Sequence, residues 1–417
     1  MIIRSASDLP RARRQAIDAD TYAAASGIVD DVRERGWPAL VAHAERLGDV
    51  LPGAPLVFDR ATLLAARDAL PRETRALLER TAERIRRFAE RQRAALTEMT
   101  MTIDGGSAGH VVTPIERAGC YVPGGRFPLP STALMTAVTA RVAGVSEVWV
   151  ASPKPAPITL AAAAVAGADA LLGAGGAQAI AALAYGAGAI PACDAVVGPG
   201  NRWVTAGKKL VAGDVLIDAL AGPSELVVLA DDDADPATVA ADLLGQAEHD
   251  PDAVPVVVCL GRDFVARVEA ELTRQLADLP TASTARAALE NGFAVVASDM
   301  DQALEVCDEL SPEHLELCVE DASAIAPRLR NYGALFVGAI AAEVLGDYGA
   351  GPNHVLPTAR TARWTGGLSV MTFLRVRTWM KVDDLDAAAP VIRDAAALAR
   401  LEGLEAHARA AERRLRP

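Results

Sequence analysis

From about residue 115 the chain falls into a repeating texture that restricts its fold more than any other feature. The short apolar runs "EVWVAS", "DALLGAGG", "DAVVGPGN", "ELVVLAD", "VPVVVCLG", "FAVVAS" and "ALFVG" recur between glycine-containing turns and alanine-rich segments of helical length. Runs that are apolar at consecutive positions are buried on both faces, and strands separated by a helix are joined by crossovers instead of hairpins. The pattern therefore predicts an α/β chain built from two doubly wound, mostly parallel sheets covered by helices. At 417 residues the chain exceeds one small domain, and its 51% hydrophobic but only 4% aromatic content suits closely packed Ala, Val and Leu.

The flanks differ. Residues 15–95 read as helices with a dense charged face, as in "ETRALLERTAERIRRFAERQRAAL". After "TGGLSVMTFLRVR" the chain turns helical again and ends in "LARLEGLEAHARAAERRLRP", an arm of the kind that docks on a partner subunit. No fixed-period repeat is visible.

A formal net charge of −13 disfavours nucleic acid and anionic lipid as partners. The five cysteines are scattered without a CxxC pair, which argues against a disulfide framework or thiolate zinc site and fits a reducing cytoplasm. The amino terminus lacks the apolar run of a signal peptide. The longest uncharged stretch, residues 170–193, carries Gln178 and Pro191 and reads as buried core instead of a membrane span.

Three glycine turns stand where strands pass into helices. "GCYVPGGRFPLPST" carries Tyr121, "LLGAGGAQAIAALAYG" carries Gln178 at the place of a third fingerprint glycine, and "VVGPGNRWV" carries Asn201. Together they would line one carboxyl edge of a sheet, where nucleotides bind; each alone is equally a structural turn.

Four polar motifs interrupt the apolar texture. In "GQAEHD", Gln246 and His249 at i, i+3 share a helix face and can converge on one point, although the same spacing fits a solvated helix end. "SPEHLEL" reads as a helix start, with Ser311 as N-cap, Pro312 in the first position, and Glu313 and His314 in the first turn. The helix dipole would then keep His314 neutral, the state of a general base, although a dipole-complementing glutamate beside an incidental histidine fits the motif equally. "GDYGAGPNHVLPT" gathers Asp347, Tyr348, Asn353 and His354 in an irregular loop after a strand. In "EGLEAH", a spacing of five puts Glu402 and His407 on different helix faces, so Gly403 marks a break; by itself the segment reads as solvated helix. His43 and His110 read as solvated or locally satisfied.

Taken in order, YVPGG, GGAQAIAALAYG, VVGPGN, AGPSE, QAEHD, SPEHLEL, GDYGAGPNHVLPT and EGLEAH resemble the histidinol dehydrogenase family over nearly the whole chain. The resemblance implies oxidation of L-histidinol through bound L-histidinaldehyde to L-histidine with two NAD+. It implies one zinc held by Gln246, His249, Asp347 and, from the other subunit, His407. It makes Glu313 and His314 the catalytic pair and assigns NAD+ contacts to Tyr121, Gln178 and Asn201. Substrate contacts fall to Ser224, Gln246, His249, His314, Asp347, His354, Glu402 and His407.

The implied fold is a homodimer of two incomplete Rossmann-like domains with small helical terminal segments exchanged. The division is an N-terminal arm (1–17), a large α/β domain (18–120 with 225–368), an inserted NAD+ domain (121–224) and a C-terminal arm (369–417). Departures from the family pattern are "GWPAL", Cys120 in "GCYVPGG" and Gly207 in "NRWVTAGKK". Rival readings are a related NAD-dependent dehydrogenase of another small alcohol such as a sulfonated diol, a zinc hydrolase, and a non-catalytic metal-stabilised scaffold.

Overall fold

The computed structural model describes residues 1–9, 17–124 and 127–415. Its centre is two six-stranded sheets. The first runs, across the sheet, Ile2–Arg4, Phe293–Val296, Val254–Cys259, Glu225–Ala230, His314–Cys318 and Ala334–Val337, every neighbour parallel. Alternate residues explain why its strands are apolar throughout. Leu226, Val228 and Ala230 pack under helices Pro236–His249, Arg262–Gln275 and Ala282–Asn291, whereas Val227 and Leu229 pack under Met300–Leu310 on the opposite face.

The second sheet runs Val57–Asp59, Ala170–Leu172, Glu147–Ala151, Arg117–Tyr121, Ala195–Val197 and Leu216–Ile217, parallel except for the first strand. Numbered from Glu225 in one sheet and from Arg117 in the other, both follow the spatial order third, second, first, fourth, fifth. Each therefore has a point between its first and fourth strands where the chain reverses direction across the sheet, and a crevice opens there.

The packing divides the chain differently from the sequence expectation. Residues 18–120 were expected with 225–368, yet Val57–Asp59 pairs with Ala170–Leu172 in the second sheet. Helix Ala19–Arg35 buries Ala25, Ile28, Val29 and Val32 in the core that contains helices Gly176–Tyr185 and Arg202–Val211. The reason is burial: the apolar stripe of the flanking helices finds its partner on the alanine-rich face of the second sheet. The expected N-terminal arm contributes Ile2–Arg4 as an edge strand of the first sheet, and residues 10–16 lie outside the described residues.

A third, antiparallel sheet joins Met99–Ile103, Gly106–Pro114 and Leu374–Val382. It leads into helices Leu385–Leu401 and Glu405–Arg413, and Gly403, at φ +78°, makes the break between them that its position suggested. Among the described residues no helix is long and apolar enough to cross a membrane.

Two departures from the family pattern are packing devices. Gly207 lets its helix approach the neighbouring one, since a Cβ there would stand 3.1 Å from Ala177 Cα and from Ile180 Cβ. Trp37 packs on the Gly188 turn. Cys120 is fully buried.

Candidate active site

A cavity of about 190 Å³ lies between the two sheets, with Pro123, Gly198, Pro199 and Gly200 on one side and Ser224, His249, Glu313, His314, Asp347 and His354 on the other. Pro123 and Gly198 follow the carboxyl ends of Arg117–Tyr121 and Ala195–Val197. Ser224 and Glu313 precede Glu225–Ala230 and His314–Cys318. The carboxyl edge of the second sheet thus faces the amino edge of the first, each at its reversal point.

The helix start expected at "SPEHLEL" is not there. Ser311, at φ +48° and ψ +57°, ends helix Met300–Leu310, and His314–Cys318 is a central strand paired with Leu226–Ala230 and Ala334–Val337. Ser-Pro suits the end of a helix as well as its beginning, and two-sided strand pairing decides between them.

Glu313 accepts hydrogen bonds from Ser224 Oγ at 2.6 Å and from the Glu225 backbone N–H at 2.9 Å, both on Oε2. Burial nevertheless lifts its pKa above the ordinary carboxyl value, against the opposing pull of His314 and these two donors. His314 Nδ1 donates to the Glu225 carbonyl at 3.1 Å, and Nε2 is buried, 3.6 Å from Asp347 Oδ1, without a hydrogen-bond partner among the described residues.

The expected neutral His314 is corrected with the helix that was to produce it. Burial disfavours the charged ring, but the carboxylates of Glu343, Glu313 and Asp347 outweigh it and hold the pKa well above the ordinary histidine value.

Helix Pro236–His249 forms as expected, capped by Asp235, and Gln246 and His249 share a face. Gln246 is fully buried, and among the described residues neither its amide oxygen nor its nitrogen has a hydrogen-bond partner. A buried amide with both ends unmet is costly unless something not made of protein satisfies it. Ligand atoms of His249, Glu343 and Asp347 lie within 4.8 Å of one another. These N and O donors, with the orphaned amide of Gln246, fit a borderline divalent ion such as zinc. Glu248 points elsewhere and accepts from Thr281 Oγ1 at 2.6 Å.

His354 is half-buried, Nδ1 donating to the Asp347 carbonyl at 3.0 Å and Nε2 paired with Thr132 Oγ1 at 3.2 Å. Burial holds its pKa below the ordinary value, so it stands neutral beside its more basic neighbour. Glu402 and His407 are exposed on the C-terminal arm and do not line this cavity.

The three glycine turns do share the carboxyl edge of the second sheet, although Gly125 and Arg126 of the first lie outside the described residues. Tyr121 is buried, its hydroxyl 3.4 Å from the Gly176 N–H. Gln178 turns its amide nitrogen to Asp49, 2.8 Å away, and the same carboxylate oxygen accepts from the Gly175 N–H at 2.9 Å. The helix start that a dinucleotide phosphate would use is thus capped by an acid of the chain itself. Asn201 caps its own helix through the Trp203 and Val204 N–H groups.

Sequence reasoning missed Glu343, Asp49 and Thr132. Glu343 had a signal: it stands four residues before Asp347 in "AAEVLGD", one helical turn away on the same short helix. Asp49 and Thr132 reach the site through tertiary packing and carried none.

The histidinol dehydrogenase family profile matches residues 11–415. The chain belongs to the histidinol dehydrogenase family. The histidinol dehydrogenase of Thermus thermophilus is 48% identical over 391 residues, covering 93% of each chain, and that of Chromobacterium violaceum is 44% identical, covering 94% of this chain and 92% of its own. The crystal structure of the histidinol dehydrogenase of Elizabethkingia anophelis superposes with a TM-score of 0.92 at 29% identity, over 100% of this chain and 98% of that one. An acetylating aldehyde dehydrogenase of Geobacillus thermoglucosidasius shares the fold more distantly, with a TM-score of 0.51 at 13% identity over 90% of this chain and 93% of its own.

Proposed function

We propose that this chain oxidises L-histidinol to L-histidine through bound L-histidinaldehyde, using two NAD+ and one water, as the last reactions of histidine biosynthesis in a reducing cytoplasm. The observation that carries this reading is the adjacency of a buried acid–base pair, Glu313 and His314, to His249 and Asp347 in one crevice, with the unpartnered amide of Gln246 one helical turn before His249. The buried, unpaired thiols fit that compartment.

Zinc held by Gln246, His249, Asp347 and the partner subunit's His407 would supply the charge that binds the substrate's imidazole and amine and offsets the carboxylate field on His314. In the first oxidation His314 Nε2 takes the hydroxyl proton as the carbinol hydrogen leaves as hydride to NAD+. Its Nδ1–H stays anchored on the Glu225 carbonyl, so ring orientation is held throughout. Glu313 then takes a proton from water as the water oxygen adds to the aldehyde carbon, and His314 returns its proton to the carbonyl oxygen, which completes the hydrate and restores the neutral ring. His314 removes a proton from the resulting hydrate while the second hydride leaves to a second NAD+. Ser224 and the Glu225 N–H favour the ionised form of Glu313 that this step requires.

The fold offers no thiol for an acyl-enzyme route: Cys120, on the cofactor-side strand, is buried and pushed up to about 12. Exposed apolar residues on the C-terminal arm, among them Met380, Leu398 and Leu401, support a homodimer in which Glu402 and His407 complete the partner's site.

The test is stoichiometric. Purified protein with zinc, NAD+ and L-histidinol should yield two NADH per histidinol consumed, and a chelator should abolish turnover until zinc is returned. One NADH per substrate, or no turnover of histidinol alongside turnover of a sulfonated diol, overturns the assignment.

A further inference from the structure

Lys208 and Asp218 form an ion pair across the floor of the cofactor-side turn, and both side chains are almost completely buried, 3% and 1% exposed. A buried lysine is rare, and a buried ion pair seldom stabilises a fold more than well-packed apolar residues would. Its geometry indicates a different use. Lys208 Nζ donates to the Gly198 carbonyl at 3.0 Å, while Asp218 Oδ2 accepts from the Gly198 N–H at 2.7 Å. Both backbone polar groups of a single glycine are held by one charge pair.

That glycine is at φ +117°, and a Cβ on it would stand 2.1 Å from the Tyr121 carbonyl oxygen. The Gly198 turn therefore lies directly on the backbone of Tyr121. Lys208 belongs to helix Arg202–Val211, whose N-cap is Asn201, and Asp218 follows the edge strand Leu216–Ile217. The pair ties the helix behind Asn201 to the turn in front of it and to the neighbouring strand. Gly198, Lys208 and Asp218 line the same cavity as Glu313 and His314.

We propose that Lys208 and Asp218 are positioning residues for the dinucleotide: they clamp the Gly198 turn so that Tyr121 and Asn201 present a fixed surface to NAD+. The inference rests on the NAD+-dependent reading above. Neither side chain takes part in proton transfer, and the pair, neutral as a whole, places no net charge beside a cationic nicotinamide ring.

The test uses the full-length zinc-loaded protein with Lys208→Met, Asp218→Asn and the double variant Lys208→Met/Asp218→Leu, which leaves no unpaired buried charge. NAD+ affinity should fall about tenfold or more, the loss expected for a hydrogen bond to a charged group, with L-histidinol affinity and zinc content within about twofold of wild type. Hydrogen exchange at the Gly198 amide should quicken in parallel.

NAD+ affinity within about twofold of wild type in a folded double variant, or equal losses for NAD+ and histidinol, overturns the proposal. Where the single variants fail to fold, the double variant decides, and its failure to fold would make the pair a folding element and refute the positioning role. Wild-type protein that binds no NAD+ would instead refute the dehydrogenase reading, while Gly198 exchange would still report whether the pair clamps the turn.

Discussion

Replacing Ser224 with alanine isolates the electrostatic support of Glu313. The Ser224 hydroxyl lies 2.6 Å from Glu313 Oε2 and favours the ionised carboxylate, whereas burial favours the neutral acid. A hydrogen bond to a charged group contributes about 1.5–3 kcal/mol, so on the acid limb of the pH profile the ionised fraction should fall roughly ten- to hundredfold. The Glu225 N–H, at 2.9 Å on the same oxygen, remains and limits the loss.

The sign follows from the role. A base must be ionised to take a proton from water, so the variant should be slow at low pH and recover towards wild-type rate as pH rises and the carboxyl ionises anyway. The measurement is kcat for oxidation of L-histidinaldehyde across pH at saturating substrate, because Ser224 is also expected to touch substrate and kcat/KM would mix the two effects. Oxidation of the alcohol, which uses His314 alone as base, should change its pH profile less. An unmoved acid limb for the aldehyde step in folded, zinc-loaded S224A protein, or a uniform loss at every pH, would refute the assignment of Glu313 as the water-activating base.

Burial, then Asp242, pushes Glu316 up to about 8, and burial pushes Asp242 up to about 6. A carboxyl whose folded pKa is raised stabilises the fold fully below its unfolded pKa, and that contribution is lost as pH rises towards about 8, so thermal stability should decline across this range. Glu316→Gln should flatten the decline in melting temperature, and an unchanged slope would rule this pair out as its source. Iodoacetamide at about pH 7.5 should leave activity intact, since Cys120, Cys259 and Cys318 are buried and pushed up to about 12, 11 and 12; single-site alkylation with inactivation would contradict this. Equal amounts of His407→Ala and Asp347→Ala chains, exchanged to equilibrium, should recover about a quarter of wild-type activity, because half the dimers are mixed and each has one complete site. No recovery in verified mixed dimers would count against the shared site.

Much of the fold was legible because the signals were periodic. Consecutive apolar residues in "ELVVLAD" and "VPVVVCLG" require cover on both faces, and the structure supplies it. The i, i+3 spacing of Gln246 and His249 was legible for the same reason. What was not legible depended on partners remote in sequence. "SPEHLEL" satisfies the local rules for a helix start, and the strands of Leu226–Ala230 and Ala334–Val337 are what make it a strand. The charge state expected of His314 failed with it, since that state depends on Glu343, Glu313 and Asp347 and not on a helix dipole. Asp49 reaches Gly175 across 126 positions of sequence. Affiliation of helix Ala19–Arg35 and strand Val57–Asp59 with the second sheet rests on helix packing and antiparallel pairing, contacts that no short-range pattern announces.

Opposed sheet edges also account for the division of chemistry in the crevice. In a parallel sheet each crossover helix runs back from the carboxyl edge to the amino edge, so helix Pro236–His249 delivers its C-terminus to the place where strand His314–Cys318 begins. A helix C-terminus carries partial negative charge and favours a cation, so Gln246 and His249 stand where a divalent ion gains from the backbone as well as from the side chains. Across the cavity, strands of the second sheet end and helices begin, the polarity that favours anions. There, however, the chain already uses some of the N–H groups: Asp49 takes that of Gly175, and Asn201 those of Trp203 and Val204. On the proposed function, a dinucleotide on this edge would gain less from these two helix N-termini and depend more on shape, so the rigidity of the Gly198 turn should matter more here than in a fold with an open phosphate site. On this argument an Asp49→Asn chain, whose amide still reaches Gly175 but no longer repels phosphate, should bind NAD+ more tightly than wild type, measured by calorimetry at low salt. Weaker or equal binding would mean that the phosphates do not approach this helix at all.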